Sequence, residues 1–527
     1  MEINMAKKFN ITGTCIPEKH YMVDISNKLN DIMSLIEEGA YLAINKPRQY
    51  GKTTTLYLLH KLLKKKDDYI HIKLSFEGLG SESYENEKEF TEAFMSILKK
   101  YFLINQYNDM FDFIKNYFVV KKIRQLDDFI TDLIIKFKKK FVLSIDEVDQ
   151  SINNQLFLDF LGMLRKKYLL QKEGQDFTFH SVILAGVHDI KSLKLKIRPD
   201  AEKKYNSPWN IAADFKVDLS FSSEDISKML LEYSKDKKQQ MDVKLLSKNI
   251  YYYTSGHPFF VSKLCKTLDE QPVQNSWDEN LLDGAVKQLL TEQNTNFESL
   301  IKNLENNKDL YMIVEKIILD GAKIEYNENN MLLIKGITFG IFKKNKHLKI
   351  HNRIYEQIIY DYMILNLRIN ELLNCDIDHY NVAENYLTND NYIDLKKVLL
   401  KFQSFMKYEY SKRDFDFLER NGRLIFLAFL KQIINSHGFD FKEVQISEEK
   451  RLDVMITWFN KKYLVELKIW RGEKAHKKGI KQLCDYLDRV NLDKGFLIIF
   501  DFRKQENKEW KNETMSIDKK DLFLVWI

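Results

Sequence analysis

Apolar residues recur along this chain with two different periods, and the changes between them mark where elements begin and end. Tyr41-Leu42-Ala43-Ile44 is a short continuous apolar run, whereas from Thr54 to Lys64 the residues Leu56, Leu59 and Leu63 fall at helical spacing. A strand, a polar loop and an amphipathic helix are predicted in that order. Two further apolar runs, Phe141 to Ile145 and Ser181 to Val187, predict buried strands. Ser222-Ser223-Glu224-Asp225 has the pattern of a helix start with a capping box, and Thr254 to Phe260, with its Gly-His-Pro, breaks two helical stretches. From Phe297 to Leu365 the pattern predicts helices, a polar turn at Asn327 to Asn330, a strand at Met331 to Lys335, a basic segment at Phe342 to Lys346 and a helix at Ile354 to Met363. The segment 367–412 is polar and rich in Asn and Tyr, and is predicted to be a partly helical connector. The final stretch predicts a helix at about Asp414 to Ser436 and a strand near Phe441 to Ile446. A hairpin of Asp453–Trp458 with Tyr463–Lys468, turning at Phe459 to Lys462, comes next. A helix near Lys474 to Asp488 and a strand at Gly495 to Phe502 close the pattern.

Charged residues cluster where these predicted strands end. In the hairpin, side chains change face at every residue, so Glu466 and Lys468 point one way and Leu467 the other. With Asp453 on the neighbouring strand, two carboxylates and an ammonium meet at one sheet edge. Phosphodiester cleavage calls for such a set, because Mg²⁺ prefers carboxylate, carbonyl and water oxygens and can lower the pKa of a bound water. Asp453, Glu466 and the backbone carbonyl of Leu467 are the expected metal ligands, with Lys468 near the attacking water. An ordinary solvated hairpin can carry the same residues, but the surrounding order of elements favours the catalytic reading. The pattern resembles the PD-(D/E)XK nuclease superfamily, with Arg451-Leu452 where the naming proline would stand. The resemblance implies a core of helix, three strands, helix and strand. It also implies substrate-side roles for Gln482 and Tyr486, one turn apart on the last helix, and a further carboxylate at Glu419.

Near the other end, Lys46-Pro47-Arg48-Gln49-Tyr50-Gly51-Lys52-Thr53-Thr54 lies between a strand and a helix and resembles a P-loop, with Lys46 in place of its first glycine. Backbone N–H groups at the helix start would cradle phosphates, Lys52 would neutralise the β and γ groups, and Thr53 would hold Mg²⁺. The second strand ends in Asp146-Glu147, a Walker B pattern in which Asp146 binds the Mg²⁺ shell and Glu147 orients water. His188 follows the third strand, where related ATPases carry a polar sensor, although a lone histidine is more often a structural hydrogen-bonding residue; Arg198-Pro199 and Ser207-Pro208-Trp209 are expected in a polar loop before the lid. The Gly-His-Pro turn resembles the lid of signal-transducing ATPases with numerous domains (STAND), a branch of the AAA-like P-loop proteins.

The fold expected from these resemblances is multidomain α/β. An AAA-like P-loop NTPase parallel sheet (1–215) is followed by a helical lid (216–296), a winged-helix-like module (297–366), a connector (367–412) and a restriction-endonuclease-like PD-(D/E)XK domain (413–527). Together they resemble a bacterial family of AAA-like ATPases fused to such nucleases. This implies ATP and Mg²⁺ as cofactors, with Mn²⁺ an option at the nuclease site. It also implies an ATP-regulated nuclease acting on nucleic acid, with DNA favoured, as a conditional effector against phage or foreign DNA. A homo-oligomer and a phage-derived or protein trigger are the expected partners. A nucleotide-switched binding or assembly protein without cleavage, and a DNA-repair or recombination nuclease, stand as alternatives.

Composition changes this picture little. A chain of 527 residues with 44% hydrophobic content can bury two or more cores. A net charge of +6 is too mild for a general polyanion binder, but Lys461, Lys462, Lys468, Arg471, Lys474, Lys477, Lys478 and Lys481 crowd the hairpin and the following helix. Cys15, Cys265, Cys375 and Cys484 are too scattered for a disulfide framework or zinc site. Without an apolar leader or membrane-length run, a cytoplasmic protein with no membrane contact is expected.

Overall fold

The computed structural model describes residues 6–151, 154–187, 209–213, 215, 217–271, 276–319, 322–369, 386, 388, 390, 392–409, 425–426, 429–430, 441–442, 445–447, 450–451, 454–458, 461–470, 472–501 and 510–527. The chain divides into two compact units, one of residues 1–306 and 326–355, the other of 307–325 and 356–527. That boundary runs through the segment expected as a single winged-helix-like module.

A four-stranded parallel sheet organises the first unit, in the order Leu42–Asn45, Ser181–Gly186, Lys140–Asp146, Tyr69–Ser75. Its middle strands are apolar on both faces because helices cover both, the arrangement that parallel sheets require. Phe90 and Phe94 from the Glu87–Ile104 helix meet Phe157 and Phe160 from the Gln155–Lys172 helix in the core above it. Within that layer Lys167 is fully buried, with its ammonium 2.6 Å from Asp127, 2.9 Å from Asp176 and 2.6 Å from the Thr131 hydroxyl, so its charge is compensated in place. The sheet puts Asn45, Asp146 and Gly186 at the carboxyl ends of parallel strands, the edge at which open α/β sheets bind ligands. Trp209, expected in a polar loop, is instead a core residue stacked on Tyr41 at 5.6 Å, while Arg198, Pro199, Ser207 and Pro208 lie outside the described residues.

Five helices follow, from Ser223–Lys237 to Thr295–Glu305. The capping box is present, with the Ser222 hydroxyl accepting from Asp225 N and the Asp225 carboxylate accepting from Ser222 N. Gly256 has φ +74°, and a Cβ there would stand 1.9 Å from the Phe221 carbonyl, so this turn admits only glycine. Pro258 then opens the next helix at its first turn, where a missing N–H costs nothing.

One prediction fails in the next segment. Met331 to Lys335 is not a strand but belongs to the helix Met331–Thr338. The Asn330 side chain accepts from Leu332 N and Leu333 N and so caps a helix, and a short apolar run alone does not reveal its period. A two-stranded antiparallel hairpin, Phe342–Lys343 with Lys349–Ile350, leads into the helix Arg353–Ile369.

The second unit is built on a six-stranded sheet in the order Phe441–Lys442, Val454–Trp458, Lys461–Ile469, Lys494–Phe500, Lys520–Trp526, Asn512–Ile517. Pairing is antiparallel at both ends and parallel from Lys461–Ile469 through Lys494–Phe500 to Lys520–Trp526. The expected hairpin forms, but Trp458 pairs with Lys461, so Lys461 and Lys462 are strand residues and not part of the turn. The Glu473–Val490 helix crosses one face and packs Leu483 and Leu487 against Leu464, Leu497 and Leu522. Part of the expected connector is core: in the helix Leu395–Glu409, Val398, Leu399 and Phe402 are fully buried, and Gln403 donates to the carbonyls of Lys511 and Trp526. Only 425–426 and 429–430 of the helix expected at Asp414 to Ser436 are described, and they are helical, with Phe426 and Phe429 against Phe402.

Candidate functional site

The loop between the Leu42–Asn45 strand and the Lys52–Leu63 helix is shaped by two residues with positive φ, Gln49 at 54° and Gly51 at 81°. Gly51 is the helix N-cap, and its left-handed backbone turns the first free N–H groups of the helix towards the loop. Lys52 is buried and donates to the carbonyls of Lys46 and Pro47, both at 3.0 Å. Burial pulls its pKa down, and the nearby carboxylates of Glu147, Asp149 and Asp146 oppose that shift. At the first-glycine position, Lys46 is also lowered by burial, with Asp218 acting against it. Arg48 is exposed, and the Thr54 hydroxyl accepts from the backbone N–H of Cys15 at 3.1 Å, tying the preceding segment to the loop helix.

Opposite the loop, Asp146 ends its strand with both oxygens engaged. One accepts from the Thr53 hydroxyl at 2.7 Å and the other from Glu147 N at 3.0 Å. The second bond accompanies a left-handed Glu147, φ 55°, an unusual backbone for a residue with a side chain. Burial raises the Glu147 pKa, with Lys52 pulling the other way and Asp146 and Asp149 adding to the rise. Sequence reasoning passed over Asp149, which accepts from Val187 N at 2.9 and 2.7 Å and holds the end of the neighbouring strand. His188 lies outside the described residues.

A group of buried rings lies beside the loop. The Tyr50 hydroxyl is 3.0 Å from His351 Nε2, and its ring meets His257 of the Gly-His-Pro turn edge-on at 4.8 Å. His257 is 1% exposed, and neither of its ring nitrogens has a hydrogen-bond partner among the described residues. Burial lowers His351 to about 4 and holds His257 well below the ordinary histidine value, so both are neutral near pH 7. The Gly-His-Pro pattern pointed to His257, but nothing in the spacing of His351 pointed to it.

The candidate groups of the second unit gather only in part. Glu466 and Lys468 share a face of their strand, with Lys468 Nζ 2.6 Å from Glu466 Oε1. The carboxylate side chain is 1% exposed and the lysine 38%. The covering helix comes closest to the lysine stem at Gly479, where a Cβ would make ordinary van der Waals contact with Lys468 Cγ at 3.5 Å. Leu467 points to the other side of the strand and is buried. Tyr486 is packed in the core between helix and sheet, and Gln482, one turn earlier, is half-buried. Asp453, Glu419 and Arg471 lie outside the described residues. Among the described residues no group of three or more His, Cys, Asp or Glu side chains is placed to hold a metal ion. Lys474, Lys477, Lys478 and Lys481 are exposed on the helix, as are Lys461 and Lys462 on the strand. No helix among the described residues is long and apolar enough to cross a membrane.

Comparison with curated proteins finds no match. Among solved structures the chain is similar to the Walker-type ATPase of Pyrococcus abyssi, at 13% identity over 67% of this chain and 99% of that one, with a TM-score of 0.44. It is also similar to the Aeropyrum pernix ORC1 protein in complex with DNA, at 10% identity over 66% and 94% with a TM-score of 0.32. The Thermotoga maritima RuvB Holliday junction branch migration motor gives 10% identity over 64% and 95%, with a TM-score of 0.31. A family model described as an AAA-like domain matches residues 19–361. That span takes in the parallel sheet, the P-loop and the Asp146 strand and exceeds half of the 527 residues, so the chain belongs to the AAA-like domain family.

Proposed function

We propose that the first unit binds and hydrolyses ATP and that this controls a nuclease site in the second. The observation that carries the nucleotide reading is the Thr53 hydroxyl 2.7 Å from Asp146 at the start of the Lys52–Leu63 helix. A hydroxyl and a carboxylate side by side at a helix N-terminus suit Mg²⁺ and phosphate together. The loop N–H groups from Gln49 to Lys52 would hold the phosphates with Lys52 as their counter-charge. Pro47 and Arg48 would flank them, and Thr53 and Asp146 would hold Mg²⁺. When bound, that ion would screen the phosphate charge. Glu147, raised by burial and beside the loop, would orient water and accept its proton.

For the second unit the proposal is a nuclease of PD-(D/E)XK type, with Asp453, Glu466 and the Leu467 carbonyl as metal ligands, Lys468 in the chemistry, and Gln482 and Tyr486 shaping the substrate side. It is supported by Glu466 and Lys468 sharing one face beneath a basic helix. The described residues offer a single, ion-paired carboxylate there and do not by themselves make a metal site. No catalytic step is therefore derived through a metal. STAND-type switching, the lid at 216–296, the module at 297–366, homo-oligomers and a role in defence against foreign DNA belong to the same proposal, the last by analogy of fold alone.

The test is to incubate the purified protein with linear DNA, circular DNA and RNA, in Mg²⁺ or Mn²⁺, with and without ATP, beside a Glu466→Ala/Lys468→Ala control. Metal-dependent cleavage that is lost in the control and altered by ATP is expected. ATP turnover without cleavage under any condition would leave a nucleotide-switched binding protein.

A further inference from the structure

Three neighbouring side chains of the phosphate loop are seated in elements far along the chain. Pro47 lies against Gly340, which has φ +73° and where a Cβ would come within 2.6 Å of Pro47 Cγ. The Gln49 side-chain oxygen accepts from the Asn296 amide. Tyr50 is bonded to His351 at 3.0 Å and packed on His257. The loop that would hold phosphate is thus gripped from outside by the turn at 257, the helix start at 296 and the hairpin ends at 340 and 351.

The hydrogen bonds of this grip have a direction. Asn352 Oδ1 accepts from Tyr355 N at 2.8 Å, which orients the amide so that its Nδ2 donates to His351 Nδ1 at 3.2 Å. Nδ1 is then the unprotonated nitrogen of the neutral ring, so Nε2 carries the hydrogen and donates to the Tyr50 oxygen. A relay therefore runs from the first turn of the Arg353–Ile369 helix through Asn352 and His351 into the loop. Tyr50 is 4% exposed, so this bond is made away from water; its hydroxyl is also hydrogen-bonded to the Ser220 side chain, so removing the hydroxyl leaves His351 Nε2 as the buried group without a partner.

We propose that Tyr50 is a positioning residue for nucleotide: the relay from Asn352 and His351, together with the seat of Pro47 on Gly340, fixes the phosphate loop in its binding shape. Loop occupancy and the order of residues 340–356 are therefore one linked equilibrium. The idea rests on the nucleotide-binding reading above and adds the route by which bound phosphate is felt outside the loop. By reciprocity, whatever the relay contributes to nucleotide affinity the nucleotide returns as stability of that segment.

The experiment uses the full chain and two readouts, titration with fluorescent N-methylanthraniloyl-ADP and hydrogen exchange read by mass spectrometry. Tyr50→Phe keeps the ring and removes the hydroxyl, and is expected to weaken binding about three- to tenfold, the worth of one buried hydrogen bond. Without nucleotide it should speed exchange in both 46–53 and 340–356, and with nucleotide the wild type should slow exchange in both. His351→Leu should reproduce this, His351→Gln, which keeps a donor, should recover much of it, and the double variant Tyr50→Phe/His351→Leu should be no worse than either single one. Wild-type affinity in Tyr50→Phe, or faster exchange limited to 46–53, would overturn the proposal. So would exchange that rises evenly over the whole unit, the mark of a merely structural bond. If the wild type binds no nucleotide, the function proposed above fails. In that event the exchange data decide separately whether the relay links the two segments.

Discussion

In the first unit a lysine and an aspartate are near enough for their charges to interact, yet each is hydrogen-bonded elsewhere: Lys52 to two backbone carbonyls, and Asp146 to Thr53 and a backbone N–H. In the second unit a lysine and a glutamate of the same kinds are joined directly at 2.6 Å, with the carboxylate shut away from water. The difference lies in what neutralises each charge. Dipoles hold Lys52 and Asp146 without cancelling their net charges, which on the proposed function would meet a phosphate and a cation respectively. Lys468 and Glu466 largely cancel each other, so a metal or phosphate arriving there must compete with the existing ion pair. On the proposed function the first arrangement would take its ligand as it stands, whereas the second would have to rearrange to do so.

Substitutions can break or sharpen this contrast. Glu147→Gln should have the largest effect, slowing ATP hydrolysis by about 100- to 10,000-fold while binding persists. Because burial raises Glu147, its carboxyl takes up a proton at higher pH than the ordinary value of 4.5. Hydrolysis needs the ionised form, so the acid limb of the wild-type pH–rate profile should begin above the ordinary glutamate range and be absent from the residual rate of the variant. Lys52→Ala should weaken nucleotide binding by about 100-fold, the scale of a lost charge-assisted contact, measured by titration. It should leave cleavage detectable in the second unit but no longer responsive to ATP; equal cleavage by mutant and wild type under every nucleotide condition would sink the coupling.

Lys468→Met probes the other pair. It leaves a buried carboxylate without its cation and should destabilise the second unit by about 1–3 kcal/mol, below the cost of breaking a fully buried pair because the lysine is partly solvated. Adding Glu466→Gln should recover much of that loss, as read by denaturant-dependent hydrogen exchange in 461–469. A cost from Lys468→Met no larger than that of an exposed lysine would mean that the pair is not what neutralises the glutamate. The smallest effect serves as a control: Asn330→Ala removes a helix cap and should cost about 1 kcal/mol without changing nucleotide affinity or cleavage.

The parts that could be read from the sequence are those where local pattern and tertiary demand agree. The Leu42–Asn45, Lys140–Asp146 and Ser181–Gly186 strands are continuous apolar runs because both faces are covered, and they end at the sheet edge that carries the candidate site. The Ser222 capping box could be read because both bonds are local. What escaped depends on distant partners. Asn512–Ile517 is a polar edge strand with alternating burial and little apolar signal of its own, and it was not anticipated. Lys520–Trp526 is strongly apolar, but its place beside Lys494–Phe500 is set by parallel pairing that no local spacing encodes. The Leu395–Glu409 helix reads as connector because its polar face dominates the composition, although Val398 and Phe402 are core. Among site residues, Lys52, Thr53, Asp146 and Glu147 come from one contiguous loop and one strand end. The partners of Tyr50 lie 207 and 301 positions further along the chain, beyond any motif.

The seat of Pro47 on Gly340 makes two distant positions answer to a single volume. No β-carbon fits at 340 while the proline ring fills the space, and the backbone of Gly340 disfavours one in any case. Drift at either position is therefore constrained by the other. In a set of related sequences glycine should persist at 340 wherever proline stands at 47, and a variant library at 340 with Pro47 held fixed should recover glycine alone.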